Sequence, residues 1–285
     1  MFVVASLMLL SLYICVLENL MRMLIASRGY IGYFQVKNVW GYKTFTWNRI
    51  NPDVNILVGI NGCGKTTLLN LIHAATIEDT KVLRSYNVND VDICLARGFD
   101  RSGSVHFIRS FDTPANDKRK NESQLLQQLN YVLFQNKEGF SFFNYRMRIL
   151  DEPYKAVEIQ QNIDLLFSVI NEMFSETGKS VEISKDNTSQ LVFRQGDKLL
   201  SVENLSSGEK QLLLLLITVF LQDRKPAVLF ADEPEVSLHI SWQQVLIDNL
   251  RRLNPNCQII LATHSPSIIS RGWGDKVVQM SSITK

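Results

Sequence analysis

A glycine-rich segment that also carries a lysine and two threonines has the residue types needed to bind phosphate. It follows the pattern G-x-x-x-x-G-K-T-T and reads Gly59-Ile60-Asn61-Gly62-Cys63-Gly64-Lys65-Thr66-Thr67. Glycines let the backbone bend tightly, so that successive N–H groups can converge on an anion. In a loop of this pattern the Lys65 ammonium reaches the β- and γ-phosphates of a nucleotide, and the Thr66 hydroxyl binds Mg²⁺. A chance glycine turn before a helix is the alternative interpretation.

The sequence on either side of this segment predicts the strand and the helix that a phosphate-binding loop requires. Ile56-Leu57-Val58 is an apolar run typical of a buried strand. After the loop, apolar side chains recur at helical spacing, at Leu68, Leu69, Leu71 and Ile72. The positive end of such a helix points at the bound anion and stabilises it. We therefore predict that nucleotide phosphates are bound by Gly59, Asn61, Gly62, Cys63, Gly64, Lys65, Thr66 and Thr67.

Two adjacent carboxylates follow another apolar run. Ala227 to Ala231 is typical of a buried strand, and Asp232-Glu233-Pro234 comes directly after it. In doubly wound sheets, ligands bind at the carboxyl ends of the parallel strands. There Asp232 would hold hydrated Mg²⁺, and Glu233 would orient or deprotonate an attacking water. A solvated strand end is the alternative interpretation.

Two further segments carry polar groups at the ends of predicted elements. Leu205-Ser206-Ser207-Gly208-Glu209-Lys210-Gln211 leads into a long apolar helix, and its serines and free N–H groups suit the start of a helix. Gln258 to Thr263 is predicted to be a buried strand, and His264 follows it. His264 can therefore reach the crevice next to Asp232 and Glu233. By themselves these features indicate only a helix cap and a structural histidine.

The remaining periodicities predict further elements but no other catalytic motif. Tyr33 to Trp47 is predicted to be a β-hairpin, in which Trp40 and Tyr42 either stack on a nucleotide base or belong to the core. The other predicted strands are Val91–Ala96, Ser104–Ser110, Val181–Ser184 and Leu191–Arg194, and the other predicted helices are Leu125–Phe134, Ala156–Phe174 and Ser237–Leu253. Lys118-Arg119-Lys120 lies in a polar stretch that is either a nucleic-acid contact or, by preference, a solvated loop.

The composition is that of a globular protein. The chain has 285 residues, 46% of them hydrophobic, and a formal net charge of +2, which does not indicate whether it binds nucleic acid. Its cysteines lack C-x-x-C spacing, and one lies in the phosphate loop, so we expect a reducing cytoplasm. Residues 1–22 form an apolar segment, which is an upstream extension, a packed helix or, less favoured, a membrane anchor.

In this order and spacing, the four segments resemble the ATP-binding-cassette (ABC) ATPases. These have a phosphate loop, a signature such as Leu205–Gln211, an acidic strand end such as Asp232-Glu233 and a switch histidine such as His264. The signature Ser-Ser-Gly-Glu-Lys-Gln is more similar to the soluble branch than to transporters. That branch contains RecF-, Rad50- and SMC-like proteins and the ATPases of OLD and Septu-type phage-defence systems.

The resemblance implies an α/β fold, in which a P-loop NTPase core of the ABC type, with a mixed sheet flanked by helices, carries an inserted helical/β subdomain. The ATPase domain would cover residues 23–285, with the insertion at about 91–200. Catalysis would use Glu233, His264 and Lys65, and Mg²⁺ would be held by Thr66 and Asp232.

The resemblance also implies that ATP is hydrolysed between two copies of the chain. Ser206, Ser207 and Gly208 of one copy would contact the γ-phosphate bound by the other. The partner is then expected to be a nuclease or another nucleic-acid-acting protein, or DNA itself. Two alternatives remain: the motor subunit of a transporter, with a membrane permease as its partner, and a module that dimerises on ATP without hydrolysing it.

Overall fold

The computed structural model describes residues 30–88, 90–95, 104–109, 123–134, 141–185 and 190–285. The predictions for the N-terminal segment 1–22 and for Lys118-Arg119-Lys120 lie outside these residues. Across the described ranges, no helix combines the length and the apolar character needed to cross a membrane.

Strands and helices alternate along much of the chain. The strands are β1 (Ile31–Val39), β2 (Lys43–Trp47), β3 (Val54–Val58), β4 (Val91–Leu95), β5 (Val105–Ile108), β6 (Ser180–Ile183), β7 (Leu191–Gln195), β8 (Lys198–Leu200), β9 (Ala227–Asp232), β10 (Cys257–Ala262) and β11 (Val277–Gln279). The α-helices are α1 (Lys65–Thr76), α2 (Thr80–Ser85), α3 (Gln124–Phe134), α4 (Phe142–Asp151), α5 (Ala156–Phe174), α6 (Ser207–Phe220), α7 (Ile240–Leu253), α8 (Pro266–Ile269) and α9 (Met280–Ile283).

A five-stranded sheet lies at the centre, with the strand order β11-β3-β10-β9-β5. Every neighbouring pair in it is parallel. All residues of β9 and β10 are buried, as expected for strands of a parallel sheet that is covered on both faces. Because the strands are parallel, the segments that follow β3, β5, β9 and β10 leave the sheet at the same edge.

Two smaller antiparallel sheets flank this centre, with the orders β2-β1-β4 and β6-β7-β8. Strands β4 and β5 fall inside the insertion predicted at about 91–200. However, β4 pairs with β1 and β5 pairs with β9, so both belong to sheets of the core. The domain bounds, with an insertion at about 91–200, stay a prediction.

Apolar side chains cover both faces of the central sheet. On one face, α1 packs into a buried cluster that also contains residues of β1, β2 and β10. On the other face lies α6, whose residues Leu212 to Phe220 are all buried. Helices α3, α4 and α5 pack in the same cluster as α6. A helix that is apolar on all sides, such as α6, is stable only when other elements surround it.

Some element bounds differ from the sequence-based ones for local reasons. The helix predicted from Ser237 begins only at Ile240, because Ser237 has a positive φ of 64° and His239 caps the helix instead. Helix α5 has the predicted bounds Ala156–Phe174. Helix α4 was not predicted from the sequence. Several of its apolar side chains, including Leu150, are exposed, so the spacing of its apolar residues does not follow one buried face.

Candidate functional site

The glycine-rich segment forms the turn between β3 and α1. Gly62 and Gly64 have positive φ values of 77° and 105°, which glycine adopts without strain. Gly64 is the N-cap of α1, and Lys65 is the first residue of the helix. The Lys65 ammonium donates to the Gly59 carbonyl over 3.0 Å. The loop thus places a cation and the free N–H groups of a helix N-terminus at one point, an arrangement suited to a phosphate.

A second lysine contacts this loop, and sequence reasoning did not find it. Lys43 of β2 donates from Nζ to the Cys63 carbonyl over 2.6 Å, and its ammonium lies 5.4 Å from the centre of the Phe45 ring. Lys43 precedes the loop by some twenty residues and belongs to no motif. Only the pairing of β1 with β2 and the packing of Phe45 against the loop bring it there.

Asp232 is the last residue of β9 and lies buried at the carboxyl edge of the sheet. Burial raises the pKa of its carboxyl above the usual range, although a hydrogen bond with Thr66 and the charge of Lys65 act in the opposite direction. Its Oδ1 is buried and has no hydrogen-bond partner among the described residues. A buried carboxylate oxygen without a partner, next to a threonine hydroxyl, fits a hydrated Mg²⁺ at this point.

Glu233 and His264 face each other across the ends of β9 and β10. The two strands are paired so that Asp232 lies opposite Ala262, and the Glu233 N–H donates to the Ala262 carbonyl over 2.9 Å. His264 Nε2 then lies 3.7 Å from Glu233 Oε1. About a third of each side chain is exposed, 38% for His264 and 34% for Glu233, so water can reach both.

Glu235 is a third acidic residue at this edge and was not among the predicted site residues. Its Oε1 accepts hydrogen bonds from Thr263 Oγ1 (2.6 Å), the His264 N–H (2.8 Å) and the Ser265 N–H (3.2 Å). Its Oε2 is buried and has no hydrogen-bond partner in the part of the chain that the structure describes. The run Asp-Glu-Pro-Glu was the feature of the sequence that could have pointed to Glu235. The residues that Glu235 contacts, however, lie about 28 positions further along the chain.

The predicted signature forms the start of α6. Ser206 caps the helix: its Oγ accepts from the Glu209 N–H (3.2 Å), and Glu209 Oε2 accepts from the Ser206 N–H (2.9 Å). Glu209 also binds Lys179 over 2.6 Å. Ser206 and Ser207 are exposed, whereas Gly208 is buried. The start of α6 thus presents two hydroxyls to solvent, while the capping box satisfies the N–H groups of Ser206 and Glu209.

Arg109 adds a positive charge to the same edge of the sheet. It directly follows β5, the neighbour of β9, and its guanidinium lies 5.2 Å from the centre of the Phe107 ring. Its charge acts on the pKa of Asp232 in the lowering direction. The sequence placed Arg109 in a strand, but nothing in it indicated which strand would be the neighbour.

Trp40 and Tyr42 lie at the tip of the β1–β2 hairpin. Their rings stack with centroids 6.4 Å apart, and Trp40 also contacts Tyr86. Tyr42 is 75% exposed and Trp40 is 42% exposed, so the interpretation of both as core residues is wrong. Stacking on a nucleotide base stays a prediction.

Comparisons with known proteins agree on the kind of domain. Residues 101–270 match the family described as "AAA domain, putative AbiEii toxin, Type IV TA system". The chain is 26% identical over 203 residues to the protein named "Retron Vc95 probable ATPase" of Vibrio cholerae serotype O1 biovar El Tor, an alignment covering 64% of the chain. It is 21% identical over 290 residues to "Septu protein PtuA" of Bacillus thuringiensis, covering 82% of the chain and 72% of that protein. The chain spans only 40% of the retron protein's length.

Among solved structures, the chain is similar to an SMC head bound to the C-winged helix domain of ScpA. The TM-score is 0.54 at 13% identity, and the match covers 85% of this chain and 92% of the SMC head. At that identity the likeness concerns the fold alone. The predicted fold class, an α/β P-loop core of the ABC type, is confirmed, and within the described residues its central sheet is parallel where a mixed sheet was expected.

Proposed function

The chain belongs to the AAA-domain family that its residues 101–270 match, and on that premise we propose that it binds ATP with Mg²⁺ and hydrolyses the ATP to ADP and phosphate. The observation that carries the proposal is the convergence of a lysine-bearing phosphate loop, the buried Asp232 and the Glu233–His264 pair at one edge of one parallel sheet. Doubly wound sheets bind their ligands at this edge.

The phosphate loop binds the triphosphate through its N–H groups and through Lys65, whose ammonium exchanges its contact with the Gly59 carbonyl for the β- and γ-phosphates. Thr66 and Asp232 hold Mg²⁺, which neutralises charge that develops on the phosphates. The orphaned Oδ1 of Asp232 supports this assignment.

Glu233 orients the attacking water and accepts its proton. Its partly exposed carboxylate can reach water, and the positive φ of 48° at this residue turns the chain away from the strand direction. His264 contacts the γ-phosphate from the neighbouring strand end, close enough to Glu233 for both to act on the same reacting atoms. A positioned general base contributes about 10²–10⁴ to a rate.

The cycle requires a second copy of the chain and serves a partner that acts on nucleic acid. The exposed Ser206 and Ser207 at the start of α6 are suited to bind the γ-phosphate held by the other copy. The names of the relatives, a retron ATPase and a Septu protein, support a role in phage defence. A nuclease or DNA is the partner that this role favours.

Hydrolysis by the purified chain tests the core of the proposal. Lys65→Ala removes the charge on the β- and γ-phosphates, so ATP binding measured by calorimetry should be lost. Glu233→Gln should still bind ATP and Mg²⁺, but phosphate release should fall by roughly 10²–10⁴. Glu182→Gln is the matched control, because Glu182 pairs with Arg194 in the β6-β7-β8 sheet. Wild-type hydrolysis in Glu233→Gln would refute the role of Glu233.

A further inference from the structure

One carboxylate oxygen accepts three hydrogen bonds from the loop after β10. Glu235 Oε1 accepts from three consecutive residues, through the Thr263 hydroxyl and the N–H groups of His264 and Ser265. The donors include two successive backbone N–H groups. The carboxylate thereby fixes the backbone of His264 itself.

A second side chain holds the same loop from the other side. Ser265 Oγ donates to Gln243 Oε1 over 2.6 Å, and Gln243 Nε2 donates to the Leu238 carbonyl over 2.9 Å. These bonds join the loop after β10 to the segment that follows Asp232-Glu233. His264 and Glu233 consequently belong to one hydrogen-bonded unit, in which their side chains lie 3.7 Å apart.

The carboxylate occupies this place at an energetic cost. Its other oxygen is buried without a hydrogen-bond partner among the described residues, and leaving a buried polar atom unpaired is unfavourable. The three hydrogen bonds to Oε1 offset this cost. Their donors all belong to the loop that carries His264, and the Ser265 N–H is shared with Thr263 Oγ1 at 2.9 Å.

We propose that Glu235 is a positioning residue for hydrolysis. The hydrogen bonds to its Oε1 hold the loop that carries His264 at a fixed position relative to Glu233. The inference rests on the proposed ATPase function and adds a residue to it. Hydrogen bonds to a charged acceptor are about twice as strong as neutral ones, so three of them define the loop geometry closely. A displacement of about 1 Å at a catalytic group can reduce a rate roughly a hundredfold.

Two substitutions separate the effect of the length of the Glu235 side chain from the effect of its charge. Glu235→Gln keeps an oxygen at the Oε1 position, whereas Glu235→Asp keeps the charge but shortens the side chain by one methylene. We expect kcat to fall about 10- to 100-fold in Glu235→Asp and less than about fivefold in Glu235→Gln, because a neutral acceptor forms the same bonds more weakly. Glu182→Asp, in the remote pair with Arg194, is the control for shortening a glutamate.

A double variant tests whether Glu235 acts through His264. If it does, Glu235→Asp should have little further effect on kcat once His264→Ala is present, because contacting residues of one network are not additive. A merely structural role predicts that the two losses multiply. ATP affinity should change little in either single variant, since the phosphate loop is intact.

Hydrogen–deuterium exchange gives a readout that does not depend on hydrolysis. The peptide containing His264 and Ser265 should exchange faster in Glu235→Asp than in wild type, and Glu235→Gln should remain close to wild type. Unchanged exchange in Glu235→Asp, or a Gln variant slower in hydrolysis than the Asp variant, would overturn the inference. If the wild-type chain hydrolyses no ATP, the proposed function fails, whereas the exchange result still decides whether Glu235 holds the loop.

Discussion

His73 links the phosphate-loop helix to the aromatic side chains of the central sheet. It lies in the last turn of α1, with its ring centroid 5.1 Å from that of Phe107 and 5.7 Å from that of Phe230. Burial, assisted by the positive charge of Arg109, lowers the pKa of His73 to about 4. The folded protein therefore keeps this imidazole neutral at a pH where an unfolded chain would already protonate it.

This shift predicts a loss of stability in acid. Between pH 6.5 and 4 the unfolded state takes up a proton that the folded state does not, so stability is intact above this window and falls within it. The contribution of His73 amounts to about 2–3 kcal/mol between pH 7.5 and 4.5. His73→Phe should remove that part of the pH dependence in urea unfolding.

At the scale of elements, the start of α6 depends on a close approach to the segment after β9. A Cβ added to Gly208 would lie 2.2 Å from the Ser237 carbonyl oxygen, and Ser237 already has a positive φ of 64°. Backbone atoms cannot give way as the end of a flexible side chain can. Only glycine therefore allows the predicted signature to pack against residues 234–239.

We expect Gly208→Ala to be destabilising by about 1–3 kcal/mol, the usual cost of forcing extra volume into a packed site. The free energy of urea unfolding measures this. Gly274→Ala is the matched control, since nothing lies within 4 Å of a Cβ at that position. It should change stability by less than about 0.5 kcal/mol. Equal effects of the two changes would contradict the packing argument.

The elements that sequence reasoning found are those whose pattern is local. Helix α5 shows apolar residues at helical spacing on its buried side, at Ile159, Ile163, Leu166 and Ile170, and its predicted bounds match the structure. Strands β3, β9 and β10 were found because a buried parallel strand is an unbroken apolar run, whereas β11 of the same sheet was not predicted. The fold class was implied by the resemblance of the phosphate loop, the signature, the acidic strand end and the switch histidine to those of the ABC ATPases.

Contacts between distant residues could not be found in this way. Glu235 bonds with residues about 28 positions later, and Lys43 with a residue 20 positions later. Both depend on which strands become neighbours and in which register, and no local pattern encodes that. The same reason explains why β4 and β5 were predicted in an insertion, although they pair with core strands.

At the scale of the whole molecule, the candidate site is open. Glu233, His264 and the two serines at the start of α6 are all partly or largely exposed. A water-exposed site is poorly suited to phosphoryl transfer, because electrostatic stabilisation is stronger where water is excluded. A second copy, related by a two-fold axis, would cover both sites with one self-complementary interface. The proposed dimer thus provides the enclosure that one chain lacks.

Glu233→Gln should trap this dimer. The substitution keeps the shape of the side chain and leaves Asp232 intact, so ATP and Mg²⁺ still bind, but slow hydrolysis leaves the ATP in place. Removing the negative charge next to the γ-phosphate also reduces repulsion in the closed state. We expect the variant to elute as a dimer in size exclusion with ATP and Mg²⁺ and as a smaller species without them.

The double variant Glu233→Gln/Ser206→Arg decides whether the start of α6 forms part of that interface. Ser206 is exposed in a single chain, so an arginine there has room in the monomer. In the proposed dimer it would occupy the space of the γ-phosphate bound by the other copy, and the ATP-dependent dimer should be lost. Because Ser206 also caps α6, Ser206→Asn serves as the control for helix stability, since asparagine is an equally good cap and adds no charge next to the γ-phosphate. A double variant that folds and still dimerises on ATP would show that the two copies meet elsewhere.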